Sequence, residues 1–299
     1  MFKVNNPKIV VIGGSGFLGS HVSDALSEAG YKVTIFDRTH SSWKRDDQEM
    51  VVGNILDSDE ITKTIKGSYA VYNFAAIADL DEAITKPVET ARINVLGNVN
   101  ILDACVRNKV ERYVYASTVY VNSREGGFYR CSKQAAEQYV EQYWRSYGLN
   151  YTILRYGSLY GPRSDHHNGL WRIVKKALEQ GVISYNGNKE AMREYIHVAD
   201  AAHASVVALG KDFCNEHVVL TGQEPMRVMD LLKMLAEILG LSQEVKFLEG
   251  DHTGHYIRTP YAYQPKIGRK YVPPLHVDLG QGLLQLIHEV QKNISTQND

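Results

Sequence analysis

KIVVIGGSGFLG, residues 8–19, is the stretch whose pattern decides the fold. Lys8 to Ile12 is a short β-branched run, as expected of a strand buried on both faces in a parallel sheet. Glycines follow at once at 13, 16 and 19, a spacing that permits a tight turn, close approach of backbone to a pyrophosphate, and close packing of helix on strand. Leu18, Val22 and Leu26 then mark one helical face, and Gly30 is placed to end it. The helix N-terminus is thereby left presenting free N–H groups to phosphates. Alone, such glycines describe a flexible turn; their position between a strand and a helix selects the dinucleotide reading.

The next strand, Lys32 to Phe36, ends in Asp37. An acid about 20 residues beyond the glycines suits a ribose 2′-hydroxyl and repels a 2′-phosphate, which favours NAD over NADP. Arg38 beside it could instead hold a phosphate, and Asp37 could simply cap a turn. Met50 to Asp57 reads as a third strand running into a loop, with a helix starting at Ser58-Asp59-Glu60. Ala70 to Ala76 is a fourth strand whose small residues lie at the carboxyl edge, where open α/β sheets bind ligands. A helix is expected from about Glu89 to Asn108, then a fifth strand, Val110 to Ala116, a helix ending at Gly148, and a sixth strand, Tyr151 to Arg155. Strand alternating with helix in this order predicts an α/β fold: a Rossmann-type doubly wound parallel sheet.

After Gly157 the pattern changes to short strands, a helix from about Gly169 to Gln180, a helix through Leu209 capped by Asp200, and an amphipathic helix from Val228 to Leu239. The stretch from Glu249 to Asp278 reads mostly as loop and Leu279 to Val290 as a closing helix. The expected division is an NAD-binding domain over 1–156 plus roughly 182–210, and a smaller C-terminal α/β substrate lobe over 157–181 and 211–299.

With 299 residues and a net charge of -1, the chain can bury a large core and carries no footprint for nucleic acid or an anionic membrane. Three widely separated cysteines argue against a disulfide framework. No apolar run approaches the length of a membrane span, and MFKVNNPKIVVIGG shows no signal-peptide organisation. A cytoplasmic location is expected. His166-His167 and the pair His252 and His255 have no acid or cysteine at useful spacing, so no metal is expected.

The chemistry is concentrated in Ala116 to Glu137, ASTVYVNSREGGFYRCSKQAAE. Tyr129 and Lys133 are four apart, so on a helix they share a face about 5–6 Å apart. A phenol near pKa 10 is a poor base at neutral pH, and a nearby ammonium favours the phenolate. That makes Tyr129 a candidate for proton transfer with a sugar hydroxyl. A Tyr four residues before a Lys also occurs by chance on many helices, and the weight comes from its place after the fifth strand.

Gly13-x-x-Gly16-x-x-Gly19, Asp37, the FAA of 74–76, Asn94-Val95-x-Gly97, Ser117-Thr118, Tyr129-x-x-x-Lys133, LYGP at 159–162 and REYIHV at 193–198 stand in one order. In that order the chain resembles the extended short-chain dehydrogenase/reductases, and within them the nucleotide-sugar epimerase/dehydratase branch. The resemblance implies NAD contacts from Gly13, Gly16, Phe17, Leu18, Asp37, Arg38, Asn54, Ile55, Ala75, Ala76, Asn94, Ser117, Tyr129 and Lys133. It implies catalysis by Tyr129 as base with Lys133 and Thr118. It implies substrate contacts from Thr118, Asn168 and Arg193, with Arg193 clamping the diphosphate of a nucleotide sugar; the segment 255–261 does not match the family's second pyrophosphate arginine, but Arg258 is nearby and is a further candidate. For Arg193 a surface salt bridge, and for Asn168 a turn, are the plainer alternatives.

The departures choose the reaction. Dehydratases of this branch follow the Thr with Asp-Glu; here Val119 and Tyr120 stand there, so elimination has no evident proton donor. Thr118 to Tyr129 spans only eleven residues, a shortened loop over the sugar, and Ser158 replaces an Asn common in relatives. The expected function is therefore hydride transfer at sugar C4, as an epimerase or 4-dehydrogenase. A 4,6-dehydratase and a non-catalytic NAD-binding sensor or scaffold are the alternatives; the latter is disfavoured because Tyr129 and Lys133 are both kept. The resemblance also implies a homodimer formed by the helix carrying Tyr129 and the one before it.

Overall fold

A computed structural model describes residues 6–241, 245–248 and 255–262, all within the compact unit running from Met1 to Tyr263. In chain order, β1 (Lys8–Ile12) leads into α1 (Phe17–Glu28), followed by β2 (Lys32–Asp37), β3 (Glu49–Val52), α2 (Ser58–Ile65) and β4 (Ala70–Asn73). Then come α3 (Leu80–Thr85), α4 (Pro87–Ala91), a π-helical segment Arg92–Gly97, α5 (Asn98–Arg107) and β5 (Arg112–Thr118). A 3-10 turn, Val119–Asn122, precedes α6 (Gly127–Tyr147) and β6 (Tyr151–Tyr156). The remainder comprises β7 (Ser158–Tyr160), α7 (Gly169–Gln180), β8 (Ser184–Asn186), β9 (Met192–Arg193), β10 (Tyr195–His197) and α8 (Val198–Val207). It closes with β11 (Glu216–Leu220), β12 (Met226–Arg227), α9 (Val228–Ile238) and β13 (Lys246–Leu248).

Seven strands form the main sheet in the order β11-β6-β5-β4-β1-β2-β3. All its pairings are parallel, as the doubly wound expectation requires. The apolar runs behave as predicted for strands covered on both faces: Ile9, Val10, Val11 and Ile12 are all fully buried. Alternate residues enter two cores. Val10 and Ile12 pack with Ile61, Ile101, Leu102 and Val140 under α2, α5 and α6. Ile9 and Val11 pack with Val22, Leu26, Ala201 and Ala202 under α1 and α8. A third, smaller core joins Ala177, Ile183, Val228 and Leu232.

Helix boundaries follow capping chemistry. The Asp57 carboxylate accepts the N–H groups of Asp59 and Glu60 to start α2, and Gly148 and Gly181, with φ of 71° and 65°, end α6 and α7. At α8 the cap is the His197 ring, accepting from Ala199 N, whereas the expected cap, Asp200, lies within the first turn near the positive end of the dipole.

The helix expected over 89–108 is interrupted. Pro87 starts α4, and the π-helical segment then adds a residue to the turn before α5. Gly97 marks the tight point, because a Cβ there would meet Ile55 Cδ1 at 2.4 Å. Glu216–Leu220 is an edge strand of the main sheet, parallel to β6, while Ser184–Asn186 pairs with β13 in the lobe. The closing helix expected over 279–290 lies outside the described residues.

Candidate active site

The chain reverses direction across the sheet between β1 and β4, and the carboxyl edge at such a reversal is where open α/β sheets bind ligands. Gly13 has a φ of +78°, and a Cβ on it would fall 2.6 Å from Ala75 N. A Cβ on Gly19 would fall 2.2 Å from Gly13 O. Both positions are closed to side chains by backbone, which is how α1 comes to begin directly beneath the turn. Gly16 is different: it is the N-cap of α1, supplies no side-chain cap, and a Cβ there meets only Gly13 O at 3.4 Å. The first N–H groups of α1 therefore have no side-chain cap, as an anion-binding helix N-terminus requires.

Asp37 ends β2 beside this turn, its carboxylate accepting Ser15 N at 3.0 Å and Thr39 N at 3.3 Å, while Arg38 is exposed. Phe17 meets His21 edge-on, and Leu18 packs on the core under α1. Asn54 is exposed with its side chain accepting Leu56 N, and Ile55 is buried against Gly97. Ala75 and Ala76 are half-buried beyond β4, with Ala75 N held by the Asn73 side chain at 3.1 Å. Asn94, turned inward by the π-helical segment, has both amide ends engaged: it accepts Ile77 N and donates to Ile77 O and Ser132 Oγ. It ties the loop after β4 to α6.

Tyr129 and Lys133 share a face of α6, as the spacing predicts. Lys133 is 3 % exposed, and its Nζ donates to Ala116 O at 2.7 Å. The ammonium lies 4.8 Å from the Tyr115 ring centre and 5.9 Å from that of Tyr129. Burial dominates its titration, pulling Lys133 down to about 7 against the opposing charge of Glu137. The Tyr129 phenol moves the other way, pushed up to about 12 by burial and restrained by a hydrogen bond with Thr118. The spacing predicts that the ammonium brings the phenol down; in the protein burial raises it, and the opposing influence is the Thr118 hydrogen bond. Thr118, at the end of β5, also accepts Tyr120 N at 3.3 Å, and Ser117 donates to Glu137 Oε1 at 2.5 Å.

On the opposite wall Val119 is buried, and the Tyr120 hydroxyl pairs with His255 Nδ1 at 2.9 Å. Tyr120 stands edge-on to Tyr129 and packs on Tyr256 at 4.7 Å between ring centres. Tyr256 in turn covers the guanidinium of Arg193 at 4.3 Å. Arg193 is 8 % exposed and donates to Met192 O, with no carboxylate ion pair among the described residues. A buried guanidinium so placed is suited to an anionic ligand. Asn168 is the N-cap of α7: its side chain accepts Trp171 N and donates to Leu159 O, so both amide ends are used locally. Arg258 is exposed. His252 lies outside the described residues, but Asp165, His166 and His167 bring ligand atoms within 4.8 Å of one another, a grouping the sequence reading passed over. All three are exposed and Asp165 accepts His167 N, which marks a turn.

Sequence reasoning missed Glu137, Arg155 and Tyr256. Glu137 was detectable in principle, four residues past Lys133 on the same face; Arg155 and Tyr256 reach the site only through tertiary packing.

The model of the NAD dependent epimerase/dehydratase family matches residues 9–220, from the first strand to the last strand of the main sheet. The chain belongs to the NAD dependent epimerase/dehydratase family. Among relatives, it is 28 % identical to a putative UDP-glucose 4-epimerase of Methanocaldococcus jannaschii, over 96 % of this chain and 100 % of that one. Among solved structures, the UDP-glucose 4-epimerase of Thermotoga maritima with UDP-glucose superposes with a TM-score of 0.79 at 27 % identity, over 86 % of this chain and 90 % of that one. The UDP-glucose 4-epimerase of Thermus thermophilus in complex with NAD gives 0.75 at 25 % identity, over 88 % and 95 %.

Proposed function

We propose that this protein is an NAD-dependent nucleotide-sugar 4-epimerase acting on a UDP-sugar. The observation that carries the reading is Tyr129 and Lys133 on one face of α6, with Thr118 hydrogen-bonded to the phenol. The turn of Gly13, Gly16 and Gly19 and the N-terminus of α1 would hold the NAD pyrophosphate, Asp37 the adenosine ribose, and Lys133 the nicotinamide ribose. Bound NAD supplies the hydride acceptor and a positively charged ring beside the sugar.

Tyr129 takes the proton of the C4 hydroxyl as a phenolate only where the positive charges of Lys133 and of an oxidised nicotinamide offset the burial that raises it, and Thr118 holds the same oxygen. The three donors of a Lys133 ammonium are enough for Ala116 O and for the cleft together. Arg193 clamps the substrate diphosphate. Dehydration is disfavoured, since Val119 is buried and the Tyr120 hydroxyl is tied to His255, so neither offers a carboxyl to expel water.

A homodimer through α6 and the helix before it is supported by apolar side chains left exposed there, with Leu96 at 50 % and Phe128 at 51 %. A cytoplasmic location is supported by three unpaired thiols, Cys105, Cys131 and Cys214. No described helix is long and apolar enough to cross a membrane.

The test is incubation with NAD and a panel of UDP-, GDP-, dTDP- and CDP-sugars, read by mass and by the proton spectrum at C4. An epimerase leaves the mass unchanged and inverts C4. Loss of two hydrogens would mean a dehydrogenase, and loss of water a dehydratase.

A further inference from the structure

Tyr129, Lys133 and Glu137 follow one another at single-turn spacing on α6, and only the first two belong to the reaction described above. Glu137 is 4 % exposed. Its Oε1 accepts the Ser117 hydroxyl at 2.5 Å and Arg155 Nε at 3.1 Å, and its Oε2 accepts Arg155 Nη2 at 2.7 Å. The carboxylate is thus fixed between β5 and β6, behind Lys133 as seen from the crevice. We propose that Glu137 is a positioning residue for the catalytic pair, a held negative charge one turn behind Lys133 that keeps the lysine an ammonium and lets it face Tyr129. This rests on Tyr129 and Lys133 being the catalytic pair.

The remaining partners of Lys133 cannot do this. Ala116 O and the rings of Tyr115 and Tyr129 are neutral acceptors. A lysine buried among neutral groups sheds its proton. The titratable and charged groups that face it are Tyr129 and Glu137 from its own helix, Tyr115 with Tyr113 beside it from β5, and Arg155 from β6 behind the carboxylate. Of these only Glu137 carries a negative charge when the tyrosines are neutral, and Arg155 opposes it. Ser117 and Arg155 also restrain the carboxylate from swinging onto Nζ. A direct ion pair would draw the ammonium off Ala116 O and away from the cleft; held back, the carboxylate acts through its field alone.

The competing role is mechanical: the Glu137–Arg155 pair pins α6 to the sheet and leaves Lys133 indifferent. The two are separated by titrating Lys133 directly in the full chain, by NMR of lysines labelled at Cε and Nζ, with the resonance assigned through Lys133→Arg. The wild type is expected to titrate near 7. The double variant Glu137→Gln, Arg155→Gln removes both charges without orphaning either. It is expected to lower the midpoint by roughly half to one pH unit, less than the loss of one charge alone, because removing Arg155 offsets part of the loss of Glu137.

Arg155→Gln alone unmasks the carboxylate and is expected to raise the midpoint, and Ser117→Ala, which removes one neutral hydroxyl, to raise it less. Glu137→Asp keeps the charge and is expected to titrate near the wild type. Opposite movements in the charge-removing and charge-unmasking variants support the proposal. Unchanged midpoints in the variants that fold, Ser117→Ala included, or movement in one common direction, would overturn it. No substrate enters this measurement, so its outcome stands apart from whether any UDP-sugar is turned over.

Discussion

Lys133 Nζ and the main-chain oxygen of Ala116 are 2.7 Å apart, which fixes the ammonium at the end of β5 between the rings of Tyr115 and Tyr129. A flexible side chain has become a located charge. Lys133→Met keeps most of the packing and removes that charge, so turnover should fall by about 10²–10⁴-fold, the usual worth of positioned proton transfer. Initial rates at saturating UDP-sugar check this; a loss under tenfold would contradict it.

The same burial makes stability pH-dependent. Lys133 is held near 7 when folded against 10.5 for an ordinary lysine, so between those values unfolding takes up a proton. Stability from this site should therefore rise as pH increases from about 7 to 10.5. Tyr129, raised to about 12 from 10.0, works in the opposite sense, and its contribution is lost above pH 10 as the pH approaches 12. The difference in urea midpoint between wild type and Lys133→Met, measured across pH 7–10, should change with this slope and be absent if Lys133 titrates normally.

Gly19→Ala should be severe. Its Cβ would lie 2.2 Å from Gly13 O, and backbone cannot yield as a flexible side chain would. Overpacking of this kind destabilises by about 1–3 kcal/mol. Thermal denaturation with and without NAD should show a lower midpoint and a weakened cofactor-induced shift.

Arg193 is buried under Tyr256 and pairs with no described carboxylate. Arg193→Gln should weaken UDP binding by about 10–100-fold, the value of a charge-assisted hydrogen bond of about 1.5–3 kcal/mol. Titration calorimetry with UDP reads this directly, while NAD affinity should change little.

Much of this was legible in the chain because it is local. The run of Lys8–Ile12 into spaced glycines predicted both the buried parallel strand and the uncapped helix, since each depends on neighbours in sequence. The helix of Tyr129 was read for the same reason. The break at Arg92–Gly97 was not legible, because it depends on Ile55 meeting Gly97 and on Asn94 meeting Ser132. Nor was the balance of pKa values: spacing places an ammonium near a phenol, but how much water each loses is settled by β5 and the loops that cover them. Asn168 shows another limit: its place as the N-cap of α7 depends on where the helix begins, which the residue type alone does not say.

Tyr129→Phe removes one oxygen and keeps the ring, and on it the account stands. Purified wild type and variant, each with bound NAD confirmed by extraction, should be incubated with UDP-glucose and followed by the C4 proton signals. The account predicts that the wild type equilibrates the two C4 configurations with no change in mass, while the variant retains NAD and does so at least about 100-fold more slowly. Equal rates in the two proteins, or loss of water from the sugar in the wild type, would contradict it.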